Sequence, residues 1–551
     1  MGVMTGPMAR QGLGQALVAL GLACVLAACT APGPMPAVAP AAVAPGAVAP
    51  AAGLVALVDP TPTPGPTPSP TPTASPAPEP VLVPLVPITG FWSAERSISR
   101  SALASTLAGG GSSPRRVLVS TADLPSLAAA LGVRPGANVR AVSPADVRAG
   151  ILASPGALGI LRAEHVTPTV RALSVSGVSL FGGTRTRSLA TWPLLVREPA
   201  GTVPSSFATA SAWTLVAGGD VMLDRSIYRQ LVINGKGANF PWNGGLAKIT
   251  SRYCCGAPGF SIVKGVRVTA NSAVRTLLRG ADVSMVNLEG PAPDTFRYHT
   301  SGYIFSMDPD LLTGLRYAGI DVVSLANNHI RNWGASGVID TIRNLDALGI
   351  RHAGAGRTST QARRPAWMTA AGQRVAILAY NGVGTYRGIG GSPNATSTRA
   401  GAAALSITAV RTDIKAARAA GATVVIVFPH WGAEFTDRLN SQQADLDSKI
   451  LAAGADAVIG GHSHWAGPIR LFGNRPVVYS MGDLVFGMIH DERTQEGLLV
   501  ELTFSGKRLA QVTLHPTLEV GAVQPNILTP AGGGSTVLAR IRRASARLVA
   551  P

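Results

Sequence analysis

An α/β layered fold is what this sequence predicts, on three observations. Short apolar runs without polar alternation recur at Thr214 to Ala217, Val283 to Val286, Val322 to Leu325, Val375 to Ala379, Val424 to Phe428, Ala457 to Ile459 and Val477 to Tyr479. Unalternated runs of this length mark strands covered on both faces. Helical patterns at Gly337 to Leu348, Ala402 to Ala419 and Gln442 to Ala453 separate several of them. Finally, polar groups follow the runs directly: Asp220, Asn287-Leu288-Glu289, Asn327-Asn328-His329, His430-Trp431-Gly432-Ala433-Glu434 and His462-Ser463-His464. Open α/β sheets bind ligands at the carboxyl ends of their strands.

The N-terminal elements place the chain in the cell. Arg10 precedes an apolar run from Leu13 to Ala28, too short to span a bilayer comfortably but suited to a secretory signal. The run ends in Leu26-Ala27-Ala28-Cys29. Small residues before a cysteine resemble the bacterial lipoprotein signal, which makes 1–29 a signal peptide and Cys29 the lipidated residue. The alternative is an ordinary cleaved signal, or an uncleaved anchor with Cys24 and Cys29 as packed small hydrophobes. Two or more acyl chains anchor stably where one does not, so the expected location is extracytoplasmic, lipid-anchored to the bacterial cell membrane. Residues 30–84 are Ala, Pro, Val and Thr with almost no charge, including the tract Pro60 to Pro64. That composition cannot bury enough surface to fold. It is read as a disordered stalk extended at about 3.1 Å per residue by polyproline II.

Residues 85–205 are read as a smaller α/β domain. Arg116 to Ser120 and Val139 to Val142 are strand-like, Asp123 caps a helix running to Leu131, and Ser143-Pro144 opens another with Ser at the cap and Pro in the first turn. Gly159 to Leu161 and Val175 to Leu180 continue the alternation. The stretch faintly resembles a lobe of an extracellular solute-binding protein at Pro87 to Ser93 and Ala157 to Ile160; a spacer domain is the plainer alternative. Residues 206–520 form the main domain. Beyond Gln511 to Leu514, the remaining 521–551 read as a linker and a basic helix, Ser535 to Val549, whose Arg540, Arg542, Arg543 and Arg547 suit a solvated face. No groove-reading motif accompanies them, so nucleic acid is excluded as a partner.

Composition removes other classes. Charged residues are 14% of the chain, against roughly 25% in ordinary soluble domains, and hydrophobic residues at 46% can build a core, so the chain is not wholly disordered. No internal apolar run reaches the ~18 residues of a membrane span. Of the four cysteines, two lie in the signal segment, which excludes a disulfide scaffold; Cys254 and Cys255 are read as free thiols, with a vicinal disulfide as the alternative. A net charge of +18 favours polyanions, as a long-range attraction that salt weakens.

Five strand ends offering Asp, Glu, Asn and His, with few Lys or Arg to pair them, crowd acceptor groups together, and a bound cation resolves that crowding. Mixed imidazole and carboxylate donors suit a divalent ion such as Mn, Zn or Fe. Taken singly, each His has a plain alternative as a hydrogen-bonded core residue, and Asn-Asn-His as a helix cap.

Gly219-Asp220-Val221-Met222-Leu223 with Arg225, Asn287-Leu288-Glu289, Ala326-Asn327-Asn328-His329, His430-Trp431-Gly432 with Glu434, Gly461-His462-Ser463-His464 and Ser480-Met481-Gly482-Asp483 resemble the poly-γ-glutamate capsule biosynthesis family of the CapA type. The resemblance covers about Trp213 to Phe504. It implies a metallophosphoesterase-like β-sandwich flanked by helices, with one or two divalent metals at the strand ends. Residue by residue, it implies Asp220, Glu289, Asn328, His430, His462 and His464 as metal ligands, with His329 a non-ligand placed to protonate a leaving oxygen. Two metals would activate a hydroxide and clamp an in-line phosphoryl displacement. Arg225, Glu434 and Arg493 fall at substrate-facing positions; for Arg225 a structural salt bridge, and for Arg493 a surface ion pair with Glu496, are the alternatives. Four positions depart from the family's pattern: Met222 stands where a ligating His is usual, Glu289 for Asp, Asp483 for Asn and Asn332 for Asp. Met222 implies a weak or empty first metal site.

Three functions follow from this reading. The first is a cell-envelope lipoprotein of the CapA type serving synthesis, export or anchoring of an anionic polymer such as poly-γ-glutamate, with membrane-embedded polymer synthase subunits as partners. The others are a secreted metal-dependent phosphoester hydrolase and a polymer- or solute-binding lipoprotein without turnover.

Overall fold

The computed structural model describes residues 80–548 apart from 112, 155, 256–258 and 385–390. The signal segment, Cys29 and most of the stalk lie outside the described residues. Strand Val81–Gly90 begins inside the segment read as stalk. Its prolines disguised it, but it changes partner along its length: Val81 to Pro84 pair with Leu195–Glu198, and Leu85 to Ile88 with Leu158–Arg162. It lies in a six-stranded sheet with Val117–Ser120, Val139–Val142 and Val170–Ala172. Helix Pro144–Ala153 is capped by Ser143, whose hydroxyl accepts the Asp146 N–H. Val175 to Leu180 is not the strand its pattern suggests, because Ser176 and Gly177 turn the chain at φ +48° and +83° and fold Val178 back onto Val175.

Two further sheets pack face to face. In the first, Ala212–Val221, Val283–Leu288, Val322–Ser324 and Arg351–Ala353 run parallel. In the second, Gln373–Asn381, Val424–His430, Ala457–Ile459 and Arg475–Val478 do the same. Successive side chains point to opposite faces of a strand, and here both faces are dry. Leu215, Ala217, Met285, Ile377, Ile426 and Phe428 meet between the sheets. Val216, Val286 and Val323 face helices Ala273–Gly280, Thr313–Ala318 and Gly334–Ala347 on one outside. Leu378, Val425 and Val427 face helices Ile407–Ala419 and Ser441–Ala452 on the other. Each such side chain gains about 1.5–3 kcal/mol from full burial. The result is a two-sheet sandwich flanked by helices.

Residues 521–548 are built into these layers. Strand Gln524–Leu528 pairs with Arg508–Val520 and Leu246–Tyr253, and helix Gly534–Ala546 seats Val537, Leu538 and Ile541 in the inter-sheet core. Its arginines are not all solvated: Arg540 pairs with Glu492 and with buried Glu496, and Arg547 with Asp437. Cys254 and Cys255 are joined as a vicinal disulfide, not free thiols; they sit together at an exposed strand end where each is the other's neighbour. No helix among the described residues is long and apolar enough to cross a membrane.

Candidate metal centre

The parallel strands of both sheets deliver their carboxyl ends to one place. Strand pairing sets Asn287 and Asp483 on either side of Asp220, and a bridge sets His430 beside Gly461. Two glycines permit the approach. A Cβ on Gly219 would lie 1.8 Å from the Gly482 carbonyl, and one on Gly461 would lie 2.6 Å from Asp220 Oδ1. Past Gly461 the loop enters the left-handed region at both His462, φ +96°, and His464, φ +57°. Such residues cost about 1–3 kcal/mol each unless the surroundings hold them. Asp220 holds this loop, its Oδ2 accepting the His462 N–H at 2.9 Å.

Two groups of three donors result, Glu289–His430–His462 and Asp220–His464–Asp483, all buried, with each group's ligand atoms within 4.8 Å of one another. Metal–ligand bonds of ~2.0–2.6 Å span that separation. In the first group Glu289 Oε1 lies 3.6 Å from His430 Nε2, which is in turn 2.9 Å from Asn328 Oδ1. Glu289 Oε1 and His462 Nδ1 have no hydrogen-bond partner, nor has Asp483 Oδ2 in the second. Buried polar atoms are normally paired, so these orphaned atoms fit a divalent cation.

The electrostatics differ between the groups. Burial pushes the Glu289 carboxyl well above its usual range, with the Asp220 charge adding to it, and burial likewise raises Asp220. Burial holds His430 and His462 well below the ordinary imidazole value. His464 is different. Burial opposes its charge, but Asp483, whose Oδ1 accepts from Nδ1 at 2.8 Å, together with Glu289 and Asp220, outweighs burial and pushes it up to about 10.

Of the residues expected from sequence, Asp220, Glu289, Asn328, His430, His462 and His464 converge here. His329 joins them: its Nε2 is 3.9 Å from Glu289 Oε1, and its Nδ1 is 2.8 Å from Asn332 Oδ1. Arg225 stands at the rim, its guanidinium 4.5 Å from the Phe305 ring that also stacks on His329. Glu434 stands near enough for its charge to add a small upward push to Glu289 and Asp483, which burial raises in the first place. Arg493 is engaged otherwise: it lies over the rings of Trp465 and Phe260 at 4.2 and 4.8 Å, and the Glu496 expected beside it pairs with Arg540. Met222 packs with Phe305 and Phe486, its sulfur receiving the Asp224 N–H.

Sequence reasoning gave no role to Asn287, which donates to Asp220 Oδ1 at 2.8 Å and Glu289 Oε2 at 3.3 Å, or to Asn327, which donates to Asn287 Oδ1 at 3.2 Å. The signal for Asn287 was its place two residues before Glu289, on the same face of the strand. Phe305 and Phe486, which wall His329 and His464, carried none.

The family model of the bacterial capsule synthesis protein PGA_cap matches residues 214–488. The capsule biosynthesis protein CapA of Bacillus anthracis is 25% identical over 260 residues, covering 46% of this chain and 62% of that protein. The chain thus spans less than two thirds of that relative's length. A probable polyglutamine synthesis accessory protein of Mycobacterium tuberculosis is 28% identical over 292 residues, 49% of this chain and 74% of that protein. Among solved structures, the calcineurin-like phosphoesterase YfkN of Bacillus subtilis aligns at 12% identity over 60% of this chain and 99% of that one, with a TM-score of 0.28.

Proposed function

Over residues 214–488 the chain belongs to the bacterial capsule synthesis protein family, and from that membership we propose that it serves synthesis, export or anchoring of an anionic capsule polymer such as poly-γ-glutamate, through a metal centre formed by the two donor groups. The proposal includes lipidation at Cys29, an extracytoplasmic position on the cell membrane, and membrane-embedded polymer synthase subunits as partners. The observation that carries it is the convergence of orphaned Glu289 Oε1 and His462 Nδ1 within one buried triad. A net charge of +18 suits an anionic polymer.

A divalent cation held there would polarise a phosphoryl or carbonyl oxygen as a Lewis acid. The chain's own residues do the rest. Asn332 Oδ1 also accepts the Phe305 N–H at 2.8 Å, so it is the acceptor toward His329, whose Nδ1 carries the proton and donates to it, leaving Nε2 as the open position. Burial pushes His329 down to about 4. Burial thus favours the neutral ring, with Nε2 turned toward Glu289 as the position for proton exchange with a leaving oxygen. Arg225, over the Phe305 ring that stacks on His329, would face an anionic group of the substrate.

Two triads also favour a second reading, phosphoester hydrolysis, which uses paired ions. The test is complementation. Deleting the gene should strip the polymer, wild type should restore it, and His462→Ala at equal expression should not; polymer unchanged on deletion overturns the proposal. Hydrolysis of an aryl phosphate by Mn- or Zn-loaded protein, lost in His329→Ala with metal retained, would add the second reading.

A further inference from the structure

Away from the metal-ligating cluster, the small sheet and the large sheet border a half-open cavity of about 400 Å³. Arg96, Arg171 and Ser174 line it from the N-terminal side, and Glu501, Thr513 and His515 from strands Glu496–Ser505 and Arg508–Val520. Arg171 is 2% exposed. Its hydrogen bond is a long one of 3.5 Å from Nη2 to the Phe91 carbonyl, and its Nε has no partner. Arg96 donates through Nη2 to the Leu514 carbonyl at 2.8 Å, while its Nη1 is buried and unpaired.

The one carboxylate on this wall is already engaged. Glu501 accepts the Gly183 N–H at 2.5 Å through one oxygen and lies 3.0 Å from His515 Nε2 through the other. Arg171 is thus buried and Arg96 half-buried at one cavity, neither within ion-pair distance of a carboxylate among the described residues, although the Glu501 charge acts on Arg96 at longer range. Leaving a charge without a partner in a protein interior is unfavourable, and an anion entering the cavity lowers that cost. The planar fork of an arginine matches carboxylate and phosphate oxygens in pairs, and the volume is that of a small-ligand pocket.

We propose that this cavity is a binding site for a small anion that presents a carboxylate or a phosphate to Arg96 and Arg171. The site is separate from the metal centre and does not depend on the capsule reading.

The test is calorimetric titration of the full chain, stripped with a chelator so that the metal centre holds no anion, at fixed ionic strength, with inorganic phosphate and separately with glutarate. Saturable binding of either at one per chain is expected, weakened at least tenfold by Arg96→Gln and by Arg171→Met. Binding of phosphate alone identifies a phosphate ligand, and of glutarate alone a carboxylate. Arg171→Met removes an unpaired buried charge and should fold; if it does not, Arg96→Gln decides. Absence of saturable binding by both anions, or affinity unchanged in the folded variants, overturns the proposal.

Discussion

The Glu289–His430–His462 triad and the Asp220–His464–Asp483 triad sit at the same strand ends but hold their charge differently. In the first, burial keeps both imidazoles neutral and favours the protonated carboxyl. Two of its donor atoms face the centre unpaired. In the second, the carboxylates around His464, Asp483 first among them, favour its protonated form against burial, and its Nδ1 is bonded to Asp483. A cation entering the first displaces the Glu289 proton. One entering the second displaces a proton held up to about 10 and dissolves an ion pair as well. The first is an open site and the second a self-neutralised one. The Met222 departure points the same way, because a packed thioether stands where the second triad would gain a further imidazole.

The comparison breaks first if metal removal is silent. Stripping the ion should lower the melting temperature by several degrees, since a ligand a thousandfold above its Kd contributes about 4 kcal/mol. Glu289→Gln should melt equally with and without chelator. An unchanged wild-type melt, read by circular dichroism, would remove the ion from the fold's support.

The next largest effect concerns the second triad. Asp483→Asn should release His464 from its partner and lower its proton affinity, so that second-ion uptake moves to lower pH. Each pKa unit lost is worth about tenfold in affinity at neutral pH. Metal titrations between pH 6 and 9, with proton release followed, read the shift; uptake moving to higher pH would show that Asp483 matters more as a ligand than as the holder of the proton.

The smallest effect lies behind that triad. Burial, with the Asp483 charge adding, pushes the Glu519 carboxyl up to about 8, although it accepts the N–H groups of Phe486 and Gly487. A raised carboxyl keeps its proton in the folded state, so its stabilisation is full below the unfolded value of about 4.5 and is lost as pH rises through about 8. Glu519→Gln should flatten the pH dependence of melting of the stripped protein over that window. An unaltered slope assigns it to other groups.

Much of this was legible because burial on both faces leaves a plain trace. Leu215-Val216-Ala217 and Ile426-Val427-Phe428 admit no polar residue, so the first one met, Asp220 or His430, marks the strand's end. What was not legible depends on pairings that no local pattern encodes. Asp483 reaches His464 because Asp483–Val485 inserts parallel beside Ala212–Val221. The aromatic partners of Arg493 likewise come from elsewhere, Phe260 from far upstream and Trp465 from the loop after His464. The C-terminal arginines read as a solvated face because Glu492 and Glu496, which meet Arg540, are distant in sequence.

The most direct test is the ion content of purified protein at pH 7, by elemental analysis of wild type beside His462→Ala. One tightly held Mn, Zn or Fe per wild-type chain, absent from the folded variant, is the predicted result. Equal content in both proteins, or no divalent metal in either after growth with these ions supplied, would contradict it.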